Sequence, residues 1–109
     1  YVCGEAGPPI ATDRDAADLL GESFGAQASL IVIPLARLTP AFLDLKTRLA
    51  GEILQKFVNY GRHVVIVGDI SAAAARSAAL ADFVRESNRG RSVWFAQDMD
   101  ELAARLARG

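Results

Sequence analysis

Cysteine is almost missing from this chain: Cys3 is the only one in 109 residues. One thiol closes no disulfide within the chain and builds no thiolate cluster, so a reducing, cytoplasmic setting is expected. Histidine is as scarce, with His63 alone, which removes His-rich metal sites and leaves one imidazole for proton transfer. No metal, cofactor or catalytic residue is therefore assigned. Charge of one sign is lacking too. Twelve basic and 13 acidic side chains leave a net charge of −1, which gives no footprint for nucleic acid or an anionic membrane surface. Apolar runs stop well short of the ~20 residues that cross a bilayer, and no basic, apolar leader is read before the fold. The Gly-x-x-x-x-Gly-Lys and Gly-x-Gly-x-x-Gly runs that cradle nucleotide phosphates are absent, which speaks against an NTPase or dinucleotide binder.

What the chain does hold is apolar content, 51% of its residues. At this length it fits one domain, residues 1–109, which can bury roughly two thirds of its unfolded surface. Pro40 to Asp69 organises the rest. Thr39 stands where a side chain can cap the first free amides, and Pro40 where a missing N–H costs nothing. Phe42, Leu45, Leu49, Ile53, Phe57 and Tyr60 recur at three- and four-residue steps, and Leu43, Ala50, Leu54 and Val58 widen the stripe. One helix from Pro40 to Tyr60 with two packing neighbours is predicted, stopped by Gly61. His63 to Val67 is an uninterrupted β-branched run, the mark of a central parallel strand covered on both faces.

Around that centre, Tyr1-Val2-Cys3 reads as a first strand, and further residues are expected before it. Thr12 and Asp15 form a capping box opening a helix whose buried side is Ala16, Leu19, Leu20 and Phe24, with Gly25 as its stop. Leu30 to Ile33 is a second interior strand, ended by Pro34. After Asp69 the chain allows a helix from Ser71, or a loop and then a helix capped by Ser77. The second reading is preferred because Leu80, Phe83 and Val84 follow in register, with Asn88-Arg89-Gly90 as an exit able to take left-handed conformations. Ser92 to Ala96 is a fourth strand, and Gln97 or Asp98 starts a last helix carrying Met99, Leu102, Arg105, Leu106 and Arg108. The expected fold class is α/β: one three-layer domain with a four-stranded, mainly parallel sheet, βα repeated four times, flavodoxin-like, in the order 2-1-3-4.

In such a sheet the ligand crevice lies beyond the carboxyl ends of the strands. There Cys3-Gly4, Pro34 to Thr39, Gly68 to Ser71, and Gln97-Asp98 are expected to meet. Thr39, Asp69 and Ser71 are the candidate ligand-binding residues. Asp69 beside Ser71 suits phosphate chemistry, metal coordination or modification of Ser71; equally, Asp69 caps backbone amides in a turn. A second candidate is the polar arc Arg48, Glu52, Gln55, Lys56 and Asn59, read either as a contact surface or as a solvated face with weak i, i+4 ion pairs. Gly51 within it costs about 1 kcal/mol relative to Ala, so a close helix approach or self-association is expected there. Asn88 and Arg89 extend the candidate interaction surface. His63 falls at the opposite end of the sheet from the crevice, and Trp94 and Phe95 fall on opposite faces as core.

Phe42, Leu45, Ala50-Gly51-Glu52, Gln55-Lys56-Phe57, Asn59-Tyr60, Gly68-Asp69 and Glu86-Ser87-Asn88-Arg89-Gly90 carry a resemblance over nearly the whole chain. It is to a bacterial family catalogued as domain of unknown function family 4180, and it implies no activity. More loosely, the layout looks like the sulfate-transporter and anti-sigma-factor-antagonist (STAS-like) domains, small modules that bind partner proteins and can be phosphorylated on a Ser at a helix start. The expectation is a non-catalytic regulatory or protein-interaction module, a homo-oligomer or partner-protein binder without nucleic acid or membrane. The alternative is a small-ligand or phosphoryl-handling protein.

Overall fold

Val64, Val65 and Ile66, each at most 1% exposed, form the middle of strand β2 (His63–Val67). In the computed structural model, which describes residues 10, 12–25, 30–44 and 48–107, β2 is hydrogen-bonded on both sides. Strand β1 (Leu30–Pro34) runs parallel to it in register from Leu30↔His63 to Pro34↔Val67. Strand β3 (Val93–Ala96) runs parallel on the other side from Val64↔Val93 to Val67↔Ala96. The β-branched run is thus central, as expected. Among the described residues the sheet is three-stranded in the order β1-β2-β3, which overturns the expected order 2-1-3-4. Tyr1 to Cys3 lie outside the described residues, but the direct pairing of β1 with β2 leaves no slot between them for another strand. Strands consecutive in the chain are usually neighbours, and nothing in the turn residues here forced a skip.

Side chains alternate across this sheet. On one face Ile31, Ile33, Val64, Ile66 and Phe95 meet Ala16, Leu19 and Leu20 of α1 (Asp13–Gly25), Phe42 of α2 (Pro40–Leu43), and Ala50, Ile53, Leu54 and Phe57 of α3 (Leu49–Asn59). Phe83 and Val84 of α5 (Ala78–Arg89) pack against the same cluster. On the other face Val32, Val65 and Ala96 meet Leu102 of α6 (Met99–Ala107), with Leu30, Val67 and Trp94 half-buried around them. Helices therefore cover both faces, and Trp94 and Phe95 do lie on opposite ones.

The single rod from Pro40 to Tyr60 is not what forms. A one-turn α2 ends at Leu43, and α3 starts at Leu49 behind Arg48, whose φ of 60° is left-handed. A rod over that span would run about 31 Å, whereas a five-residue strand covers roughly 17 Å. The break lets Phe42 and Phe57 both reach the same core, each at most 1% exposed. Leu45 lies outside the described residues.

Local signals were followed closely elsewhere. Thr12 and Asp15 exchange amide-to-side-chain bonds of 3.0 and 3.2 Å. After α3, Gly61 at φ 72° closes the chain with bonds from Gly61 to the Val58 carbonyl and from Arg62 to the Phe57 carbonyl, both 2.9 Å; this is the glycine-dependent helix exit. Ser77 Oγ accepts from the Leu80 amide at 3.2 Å, capping α5. The alanines before it form a short α4 (Ser71–Arg76) in place of the preferred loop. Asp98 starts α6, its Oδ1 accepting from the Glu101 amide at 2.8 Å.

Three further expectations are corrected. Thr39 does not cap α2: its Oγ1 is buried without a partner among the described residues, and the Phe42 amide uses the Thr39 carbonyl instead. Gly90 leaves α5 extended, at φ −84°, with no left-handed residue at Asn88. Phe24 and Tyr60 are 45% and 57% exposed, because each is the last side chain before a helix-ending glycine and reaches past the core. Among the described residues, no helix is long and apolar enough to cross a membrane.

Candidate functional site

At the carboxyl ends of the strands, Asp69, Ser71, Asn88, Gln97 and Glu101 help line an open cleft of about 230 Å³. Its central feature is local. The Ser71 amide and hydroxyl both donate to Asp69 Oδ1, at 2.9 and 2.6 Å. Those bonds, the hydroxyl's first, hold the fully exposed Asp69 carboxyl below its ordinary range. A carboxylate so stabilised is a weak base near neutral pH, because proton-transfer efficiency favours a group titrating close to the working pH. The arrangement is the turn-capping one, with the Ser71 hydroxyl already committed. Thr39 is not among the residues lining this cleft. Cys3-Gly4 lie outside the described residues.

The second candidate is better built. Gly51, Glu52, Gln55, Lys56, Asn59 and Tyr60, the predicted arc without Arg48 and with the tyrosine added, line a shallow groove of about 580 Å³. Beside it, Ala17, Leu20, Gly21 and Phe24 of α1 with Lys56 and Tyr60 line a smaller hollow of about 210 Å³. The two share Lys56 and Tyr60 and so are continuous. Phe24 and Tyr60 meet edge to face, ring centres 6.1 Å apart. Arg62, turned back by the Gly61 exit, lies 4.1 Å over the Phe24 ring, and its Nε donates to Ser23 Oγ at 3.2 Å. Ser23 is fully buried and donates in turn to the Leu20 carbonyl at 2.7 Å. This clamp ties the carboxyl ends of α1 and α3 together and fixes the aromatic pair at the surface.

Along the arc Gln55 Nε2 donates to Asn59 Oδ1 at 2.8 Å. A Cβ at Gly51 would meet nothing within 4 Å among the described residues. The glycine therefore serves no close helix approach inside the described fold; it opens the groove outward. Arg48 is exposed at the left-handed entry of α3. Asn88 and Arg89 are not brought to this groove. The Asn88 Oδ1 accepts from the Phe95 amide at 2.7 Å, covering the free edge of β3, while Arg89 reaches Glu86 at 3.4 Å on the surface of α5.

Sequence periodicity missed Phe24, Tyr60 and the Arg62–Ser23 link, since it counts an aromatic at the right step as core. The available signal was the order aromatic then glycine, Phe24-Gly25 and Tyr60-Gly61, which puts both rings in the last turn of a helix. Among the described residues, no three His, Cys, Asp or Glu side chains are grouped to hold a metal ion.

Comparison with curated proteins and with solved structures returns no match. A family match does run through the sheet, both clefts and the α1–α3 clamp, over residues 1–106: the chain belongs to the family described as Domain of unknown function (DUF4180).

Proposed function

We propose that this chain is a non-catalytic regulatory module that self-associates, a second copy covering the Phe24–Tyr60 pair and the outer arc of α3. The observation that carries the reading is the half-exposed aromatic pair held rigidly beside a continuous groove. The occupant is argued from the chemistry of the arc. Glu52 and Lys56 supply both charge signs one turn apart, and Gln55 and Asn59 both donate and accept. Such a face complements itself. About a two-fold axis near Gln55, antiparallel α3 helices set Glu52 of one copy toward Lys56 of the other, and the reverse. Ala17, Gly21 and Gly51 leave room for the approach. Covering each aromatic contributes about 2 kcal/mol at ~25 cal/mol per Å², enough to matter once the cost of association is met. On the same reading the module works in a bacterial cytoplasm, and its α/β build is of the kind found in STAS-like and flavodoxin-like proteins.

Sedimentation velocity over a concentration series tests this. Dimer is expected for the parent, and monomer for Gly51→Leu and for Phe24→Ser. Glu52→Lys and Lys56→Glu each weaken association, and the double exchange restores it. A parent that stays monomeric at every concentration overturns the reading.

A second reading is supported by the cleft at Asp69, Ser71 and Glu101, placed where open parallel sheets hold ligands: a small-ligand or phosphoryl-handling protein. A saturable rise in melting temperature with nucleotides, divalent ions or metabolites, lost in Asp69→Ala, is its expected mark.

A further inference from the structure

We infer that α6 is a pH-dependent cover over the second face of the sheet, latched by a stack of His63, Trp94 and Arg105 and released when the imidazole takes up a proton. Two things hold α6 down. Leu102 is 3% exposed against Val32, Val65 and Ala96. One turn later, the Arg105 guanidinium lies 3.9 Å over the Trp94 ring and donates to the Asn88 carbonyl in the last turn of α5. Trp94 is fixed from its own side by Nε1, which donates to the Gly90 carbonyl at 2.8 Å. His63 packs edge-on against the same indole, ring centres 4.2 Å apart at 85°.

The imidazole is in a site built for its neutral form. Its Nε2 is buried and has no hydrogen-bond partner among the described residues, so a proton placed there finds no acceptor. Burial first, and the Arg105 charge second, hold its pKa below the ordinary value. Among the described residues no carboxylate offsets this. The acids of α6, Asp100 and Glu101, stand in its first turn, away from Arg105 in its last. Glu86 of α5 is exposed and paired with Arg89, and Arg62, next in the chain, is taken up at Ser23 and Phe24. Leu30, Ser92 and Val93 carry no ionisable group. A protonated His63 therefore sets two cations around one indole. Because the released state binds the proton more readily, each pH unit of acidification below about 6.5 favours release by up to about tenfold until the latched form also titrates.

The chain has one histidine and one tryptophan, so both signals are unambiguous. Trp94 emission and the imidazole NMR resonance are followed from about pH 8 to about pH 5, with amide exchange at each end. The expected result is one sigmoid in emission, its midpoint below about 6.5 and matching the imidazole titration, with α6 amides losing protection while Val64 to Ile66 keep theirs. His63→Gln abolishes the sigmoid, and Arg105→Gln moves the midpoint upward. Three outcomes overturn the latch: an emission change that persists in His63→Gln, an imidazole that titrates at or above about 6.5, or α6 and β2 opening together. The imidazole and exchange measurements need no substitution, so a His63→Gln chain that fails to fold still leaves the inference decidable.

Discussion

The two faces of the sheet are closed by different physics. Ile31, Ile33, Val64, Ile66 and Phe95 are covered from α1, α2, α3 and α5 by interlocked apolar side chains, a closure with no titratable member among the described residues. Val32, Val65 and Ala96 are covered by α6 through Leu102 and one cation over one indole. The first closure depends on area and packing, which acid leaves untouched; the second adds contacts whose strength depends on charge. Stability is thus expected to be uneven, with the first face opening only on global unfolding and the second opening locally.

Truncation on each face makes the sharpest test. Phe57 is fully buried on the first face, and Phe57→Ala is expected to cost about 4 kcal/mol, visible as a lower denaturation midpoint for the whole chain. Leu102→Ala on the second face is expected to cost about 3 kcal/mol. The comparison turns on where that loss appears: in faster amide exchange across Met99 to Ala107, with Val64 to Ile66 little changed. Equal loss of protection in both places would mean that the faces form one cooperative unit.

A smaller effect probes how tightly the first face is packed at its edge. A Cβ at Gly68 would stand 2.3 Å from the Cβ of Leu35, and Leu35 packs against the first-face cluster. Gly68→Ala is expected to cost about 2 kcal/mol through that overlap, and removing the Cβ it meets, in Gly68→Ala/Leu35→Gly compared with Leu35→Gly alone, should recover part of it. A Gly68→Ala chain as stable as the parent would show that the segment after β1 yields easily.

The same contrast explains what could be read from the residues. The β-branched run Val64 to Ile66 and the capping pair Thr12–Asp15 are local signals whose outcome needs no knowledge of the rest of the chain, and both appear as read. The left-handed entry at Arg48 follows from the mismatch between helix length and strand length, a property of the assembled layers that a non-glycine residue at position 48 does not announce. For the same reason strand order was missed, since crossover length permits both neighbours and skips. Of the candidate site, the arc from Gly51 to Asn59 was legible because its polar residues share one helical face. The aromatic pair beside it was not, because Phe24 keeps the spacing of core while lying one turn beyond the core's end. The His63 latch was invisible too: partners at positions 63, 94 and 105 are brought together only by the fold.

The smallest expected effect belongs to neither face. Asp69 stands at the end of β2, fully exposed, with its carboxyl held below the ordinary range by the Ser71 hydroxyl and then by the Ser71 amide. A carboxyl with a lowered folded-state pKa binds its proton more readily in the unfolded chain, so its stabilisation is complete above the unfolded value and is lost as pH falls through the folded one. Asp69→Asn should therefore lower the melting temperature slightly at neutral pH, and the gap to the parent should close in acid. Ser71→Ala should show the same pH course with a smaller gap, since the amide bond survives. This acid loss falls in the carboxylate range, well below the window of His63, so two separate steps in a pH-stability curve would assign one to the exposed turn and the other to the second face. A single step removed by His63→Gln would leave the Asp69 turn with no measurable part in stability.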